Sequence, residues 1–382
     1  MTLREILARL GLAFTGIAVA IGIAIAVLPY FSMQGRDAYI DTDLGLVEYT
    51  VGDSDIFAAQ YGTIAPPENP HEILSVHQLA WDADGFRIPE NPSENYSIIA
   101  LGDSYTEASG VAVPWSDILA RASGQTVRNL GFRGYGPQEY AFVMEEYGIA
   151  ENPDVVVLGF FGGNDIASAL PDNNEFELPS IARDAITQLT STDEPWNTDR
   201  DNYQYPVNLN LQGELIPVAF LNSYVNWNNI TQDDLRESAN IAAVRETWQR
   251  IDALAGDDTC FIIAYFPTKS QIYLPYVVEE DRDRINIGQV QRIAEPGGEI
   301  TVAQIEPTYN DLLQRINNTQ TVLAEIASSE SIPFLDLTPA FAEAAANGEM
   351  LYPSYDTHWN QAGHDLAGAQ INRLIQLNCP NI

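Results

Sequence analysis

The chain has 382 residues, 46% of them hydrophobic, enough for one large packed domain or two small ones. Its 53 Asp and Glu against 18 Lys and Arg give a formal net charge of −35, and Lys269 is the only lysine. This argues against nucleic acid as a partner, because phosphate binding needs clustered cations, and against tight binding of anionic surfaces or polymers.

Leu10 to Leu28 is a run of nineteen residues without a formal charge. As a helix it would span about 28 Å, close to the hydrocarbon thickness of a bilayer. Arg4 and Arg9 precede it; Arg36 follows, but Asp37, Asp41, Asp43 and Glu48 come soon after. This predicts an uncleaved single-pass anchor with the remainder outside the cytoplasm. A cleaved signal peptide is the alternative. The run is long for one, and no small-x-small site follows cleanly before Pro29-Tyr30-Phe31. Either reading makes the rest extracytoplasmic. Residues 1–31 read as cytoplasmic tip and anchor, 32–95 as linker and lead-in, and 96–382 as the main domain.

Within that domain, apolar runs predict strands at Tyr96–Leu101, Thr126–Leu130, Asp154–Phe161, Cys260–Phe266 and Ile332–Leu337. Helical patterns cover Trp115–Ser123, Gln138–Tyr147, Asp233–Leu254, Tyr309–Ser328 and Gln361–Leu377. The alternation predicts an α/β fold with a parallel sheet and helices on both faces. Residues 167–232 break the rhythm and read as an insertion, either a substrate wall or surface decoration; Pro275–Ile300 is a second irregular stretch.

Four loops carry the chemistry. Gly102-Asp103-Ser104 follows the first strand, where an open α/β sheet presents reactive groups. Gly52-Asp53-Ser54 repeats the triplet without companion motifs, and Ser54 reads as a turn serine. Asn129 to Pro137 holds Gly131, Gly134 and Gly136; Glu139 stands where a dinucleotide fingerprint needs a third glycine. Gly162-Gly163-Asn164-Asp165 offers a side-chain amide that does not titrate. Asp356-Thr357-His358 offers an imidazole base and a carboxylate to orient it. Together they hold what acyl transfer needs: a hydroxyl nucleophile, a base, its orienting acid and donors for an oxyanion. His71, His77 and His364 lack such neighbours. With no clustered His or Cys spacing, neither a catalytic metal nor a cofactor is expected. No Gly-x-Ser-x-Gly elbow occurs. Lys269, just after the Cys260–Phe266 strand, reads either as a substrate contact or, more simply, as one partner of an ion pair.

These motifs resemble the SGNH (GDSL-type) hydrolase family, from Tyr96 to Leu377. The resemblance implies a three-layer α/β/α fold with a flavodoxin-like sheet. It assigns Ser104 as nucleophile and the Ser104 N–H, Gly134 N–H and Asn164 amide as the oxyanion hole, with His358 and Asp356 completing a triad. Gly131 and Gly136 are adjacent alternatives to Gly134, and Asp165 would fix its loop. The usual family spacing sets Asp three residues before His; here Tyr355 occupies that place and Asp356 lies two before. That spacing resembles SGNH-like proteins that O-acetylate exopolysaccharides. Three functions stay open: an esterase acting on small O-acyl esters of a small molecule or carbohydrate, an O-acetyltransferase, or a non-catalytic polysaccharide binder.

Cys260 opens a predicted strand and Cys379 closes the predicted last helix, on the sheet edge away from these loops. Outside the cytoplasm they either pair or stay as two buried thiols.

Overall fold

A computed structural model describes residues 56–63, 72–108, 110–169, 207–285, 291–294, 300–303, 308–354 and 356–379. The predicted anchor at Leu10–Leu28, the Gly52-Asp53-Ser54 turn, His71 and residues 170–206 lie outside them. Among the described residues no helix is long and apolar enough to cross a membrane.

An antiparallel pair, β1 (Ile56–Thr63) and β2 (Glu72–Leu79), precedes the main fold. Then come β3 (Ile98–Gly102), the single-turn α1 (Ser104–Glu107), α2 (Trp115–Ser123), β4 (Val127–Gly131) and α3 (Pro137–Val143). β5 (Val155–Phe161) leads into the short α4 (Asp165–Ser168). A hairpin, β6 (Val207–Leu211) and β7 (Glu214–Val218), is followed by α5 (Asn222–Trp227), α6 (Gln232–Glu237) and α7 (Ala239–Ala255). β8 (Cys260–Phe266) and α8 (Lys269–Tyr273) come next, then the antiparallel β9 (Gln291–Ala294) and β10 (Ile300–Ala303). The chain closes with α9 (Tyr309–Arg315), α10 (Asn318–Ser329), β11 (Phe334–Asp336), α11 (Thr338–Ala346) and α12 (Gln361–Asn378).

Among the described residues, five strands form one parallel sheet in the order β4-β3-β5-β8-β11. The chain runs one way from β3 to β4 and the other way to β5, which opens a crevice at their carboxyl ends. Alternate residues feed two cores. Ile98, Val155, Val157 and Ile262 pack with Trp115 of α2, Phe341 of α11 and Ile371 of α12. Ile99, Val156, Leu158 and Ile263 pack with Tyr140 of α3, Trp248 of α7 and Leu323 of α10. Every residue of β5 is buried, as a central strand covered on both faces requires. The architecture is the expected three-layer α/β/α.

Two predicted helices are each broken in two. Ser238 is extended (φ −72°, ψ 143°) and its Oγ accepts from the Ile241 N–H, so it starts α7 rather than continuing α6. Asn317, at φ −105° and ψ 8°, separates α9 from α10. Within the irregular stretch, Val207–Val218 forms a hairpin. Val207, Leu209 and Leu211 are buried in alternation, and Gln212 and Gly213 turn at φ 54° and 88°. Cys260 and Cys379 form a disulfide, with Cα atoms 5.8 Å apart, at the amino-terminal edge of the sheet.

Candidate active site

Backbone geometry delivers Ser104 at the carboxyl end of β3. A Cβ on Gly102 would stand 2.1 Å from Thr106 Oγ1 and 2.9 Å from the Gly159 carbonyl, at φ +152°, so the turn admits only glycine. Asp103 then caps α1, its Oδ1 accepting from the Tyr105 N–H at 2.9 Å.

His358 arrives from the loop that enters α12. Its Nε2 lies 2.8 Å from Ser104 Oγ, and its Nδ1 lies 2.8 Å from Asp356 Oδ1. The same Asp356 oxygen accepts from the His358 N–H at 2.9 Å. The two-residue spacing therefore works as a tight turn in which one carboxylate oxygen holds both the backbone and the ring of the base. With Nδ1–H donating to Asp356, Nε2 is free to accept the Ser104 proton.

Electrostatics agree with that polarity. Burial lowers the His358 pKa, but Asp356, with lesser help from Asp103 and Glu107, outweighs it and raises it above the ordinary value. Burial raises the Asp356 carboxyl, but the charge and hydrogen bonds of His358, then the charge of Lys269, bring it below the usual carboxylate range. Burial pushes Asp103 up to about 7.

The three loop glycines differ in whether their amides are engaged. The Gly131 N–H donates to Asn129 Oδ1 at 2.9 Å and the Gly136 N–H to Glu139 Oε2 at 3.1 Å. The Gly134 and Ser104 N–H groups have no acceptor among the described residues. Gly134 sits at φ +77°, and a Cβ there would meet nothing within 4 Å. Among the described residues the Asn164 side chain has no hydrogen-bond partner, and its Oδ1 is buried. Asp165 does the holding: Oδ1 accepts from the Tyr140 hydroxyl and Oδ2 from the Phe161 N–H, both at 2.8 Å.

Several supports escape the sequence. The Tyr105 ring stacks on Phe161 at 4.0 Å between centroids, and its hydroxyl donates to the Thr357 carbonyl at 2.5 Å. Buried Glu107 accepts from the Arg133 N–H at 2.7 Å and pairs with its guanidinium, fixing the residue before Gly134. Arg87 clamps the end of α1 and the chain after it through the carbonyls of Glu107, Ala108, Val111 and Ala112. Lys269 is buried and donates to two backbone carbonyls. His364, on α12, packs against Trp359 just before that helix, and burial pushes its pKa down to about 3. Among the described residues no group of three or more His, Cys, Asp or Glu is placed to hold a metal ion.

A model of the GDSL-like lipase/acylhydrolase family matches residues 100–366. The chain belongs to that family and is a hydrolase acting on ester bonds. No curated protein matches it in sequence. Solved structures that resemble it include a lipase/acylhydrolase from Enterococcus faecalis, 16% identical, covering 73% of this chain and 95% of that one, TM-score 0.36. A lipolytic G-D-S-L family protein from Veillonella parvula is 15% identical over 73% and 97% of the two chains, TM-score 0.37. A catalytic mutant of Axe2, an acetylxylan esterase from Geobacillus stearothermophilus, is 15% identical over 74% and 95%, TM-score 0.36.

Proposed function

We propose that the chain is an extracytoplasmic serine esterase, anchored by its N-terminal apolar helix, that removes small O-acyl groups from a small molecule or carbohydrate. The observation that carries this reading is the unbroken relay from Ser104 Oγ through His358 to Asp356, each link 2.8 Å long. The Cys260–Cys379 disulfide supports an oxidising compartment, and the charge of −35 favours uncharged substrates over polyanions.

In the reaction, Ser104 Oγ attacks the acyl carbon while its proton passes to His358 Nε2. Asp356 stabilises the imidazolium through Nδ1–H. The developing oxyanion takes the Ser104 and Gly134 N–H groups and the Asn164 amide. Collapse breaks the ester C–O bond, the alcohol leaves with the His358 proton, and acyl-Ser104 remains. Water, deprotonated by His358, then releases the acid and frees Ser104.

The Asp356-x-His358 spacing favours a second reading, in which a sugar hydroxyl replaces water as acceptor. The deciding experiment incubates the protein with an acetyl ester, with and without an oligosaccharide, and follows intact mass. Acetyl on Ser104 followed by free acetate supports the esterase; acetylated sugar supports the transferase. No acyl-serine, and no labelling of Ser104 by a fluorophosphonate, would defeat both and leave a polysaccharide-binding role.

A further inference from the structure

The reaction above does not use Lys269, the chain's only lysine. It opens α8 at the carboxyl edge of the sheet and is 2% exposed. A buried ammonium is costly unless hydrogen bonds compensate it. Its Nζ donates to the Ala219 carbonyl at 3.1 Å and the Ser354 carbonyl at 3.2 Å. Those carbonyls come from distant parts of the chain. Ala219 directly follows the β6–β7 hairpin, and Ser354 stands two residues before Asp356. The Ala219 N–H donates to that same Ser354 carbonyl at 2.9 Å. The backbone leading to Asp356 is thus gripped twice, once by the hairpin's end and once by Lys269.

Building on the hydrolase reading, we propose that Lys269 is a positioning residue for Asp356: its ammonium ties the loop carrying the carboxylate to the end of the hairpin and so keeps Asp356 against His358. The charge of Lys269 also reaches Asp356 and favours its ionised form, while burial holds the ammonium itself down to about 7. The hairpin within the insertion thereby becomes part of the machinery that sets the base.

The test substitutes Lys269→Met in the full chain, keeping an apolar stem but no donor, in the native sequence and in an Asp356→Asn background. We expect kcat for p-nitrophenyl acetate to fall by about tenfold or more with KM within about threefold, since small misplacements of reacting groups cost up to about 100-fold. In Asp356→Asn the same change should cost less than about twofold, because both act through one carboxylate. The His358 imidazole, titrated by NMR, should shift down toward its value in Asp356→Asn. Unchanged kcat, equal losses in both backgrounds, or a His358 pKa that stays or rises would overturn the proposal. An inactive wild type would defeat the hydrolase reading instead; the titration needs no turnover and still decides about Lys269. If Lys269→Met does not fold, Lys269→Leu, which also lacks a donor, goes through the same measurements with the same criteria.

Discussion

The Tyr105 hydroxyl donates to the Thr357 carbonyl at 2.5 Å, joining the residue after Ser104 to the residue before His358. The nucleophile and its base come from loops far apart in sequence, and this bond ties their backbones directly. The Tyr105 ring also lies 5.0 Å from the His358 ring, so one side chain braces the base both along its backbone and beside its imidazole.

Tyr105→Phe keeps the ring on Phe161 and removes only the tie. Stability in urea should fall by about 1 kcal/mol, the net worth of one buried hydrogen bond. The kcat should drop by about tenfold with KM little changed, because the loss displaces the base rather than the substrate. Wild-type kcat in this variant would show that Asp356 alone positions His358.

Asn164→Ala removes a proposed oxyanion donor that bonds no other described residue. The expected loss is about 10²–10³ in kcat, with KM and melting temperature nearly unchanged. A large drop in melting temperature with intact kcat would make Asn164 a structural residue instead.

His358 must be neutral to accept the Ser104 proton, so kcat/KM should rise with pH through its pKa. Asp356, with Asp103 and Glu107, raises that pKa, which places the acid limb above the ordinary histidine value of 6.5. Asp356→Asn should move the limb to lower pH and reduce kcat by up to about 10⁴-fold. The sign for stability is opposite. A raised folded-state pKa contributes stability that is complete below 6.5 and fades as pH rises through the folded value. A pH–rate profile of the two proteins checks the shift.

The Cys260–Cys379 disulfide closes a loop of 119 residues at the edge of the sheet opposite the site. Replacing both cysteines with Ala should lower unfolding free energy by about 3–5 kcal/mol on the chain-entropy account. At temperatures where the variant stays folded, kcat should hold. Denaturant unfolding beside esterase kinetics separates the two effects.

Much of the site is legible in the sequence because its loops carry residue types that neither a buried strand nor a helix needs. Asn164 and His358 stand out for that reason, although His358 and Ser104 are 254 positions apart. The ties made by Tyr105 and Lys269 are not legible, because each runs to a backbone carbonyl brought near by the fold, 252 and 85 positions away. The resemblance already prefers Gly134; that the Gly131 and Gly136 amides are engaged elsewhere is visible only in the coordinates. The break at Ser238 is hidden because apolar spacing runs through it, while a serine can turn its hydroxyl onto the backbone and restart the helix. The β6–β7 hairpin shows its period-two pattern only over Val207–Leu211; the exposed face of β7 offers nothing comparable.

The serine mechanism is tested most simply by p-nitrophenyl acetate hydrolysis by the full chain beside Ser104→Ala and His358→Ala. A Ser104–His358 relay predicts turnover by the wild type and a loss of about 10⁴-fold or more in each variant, with the folded state of both preserved. Equal turnover in all three proteins, or none in the wild type, would contradict it.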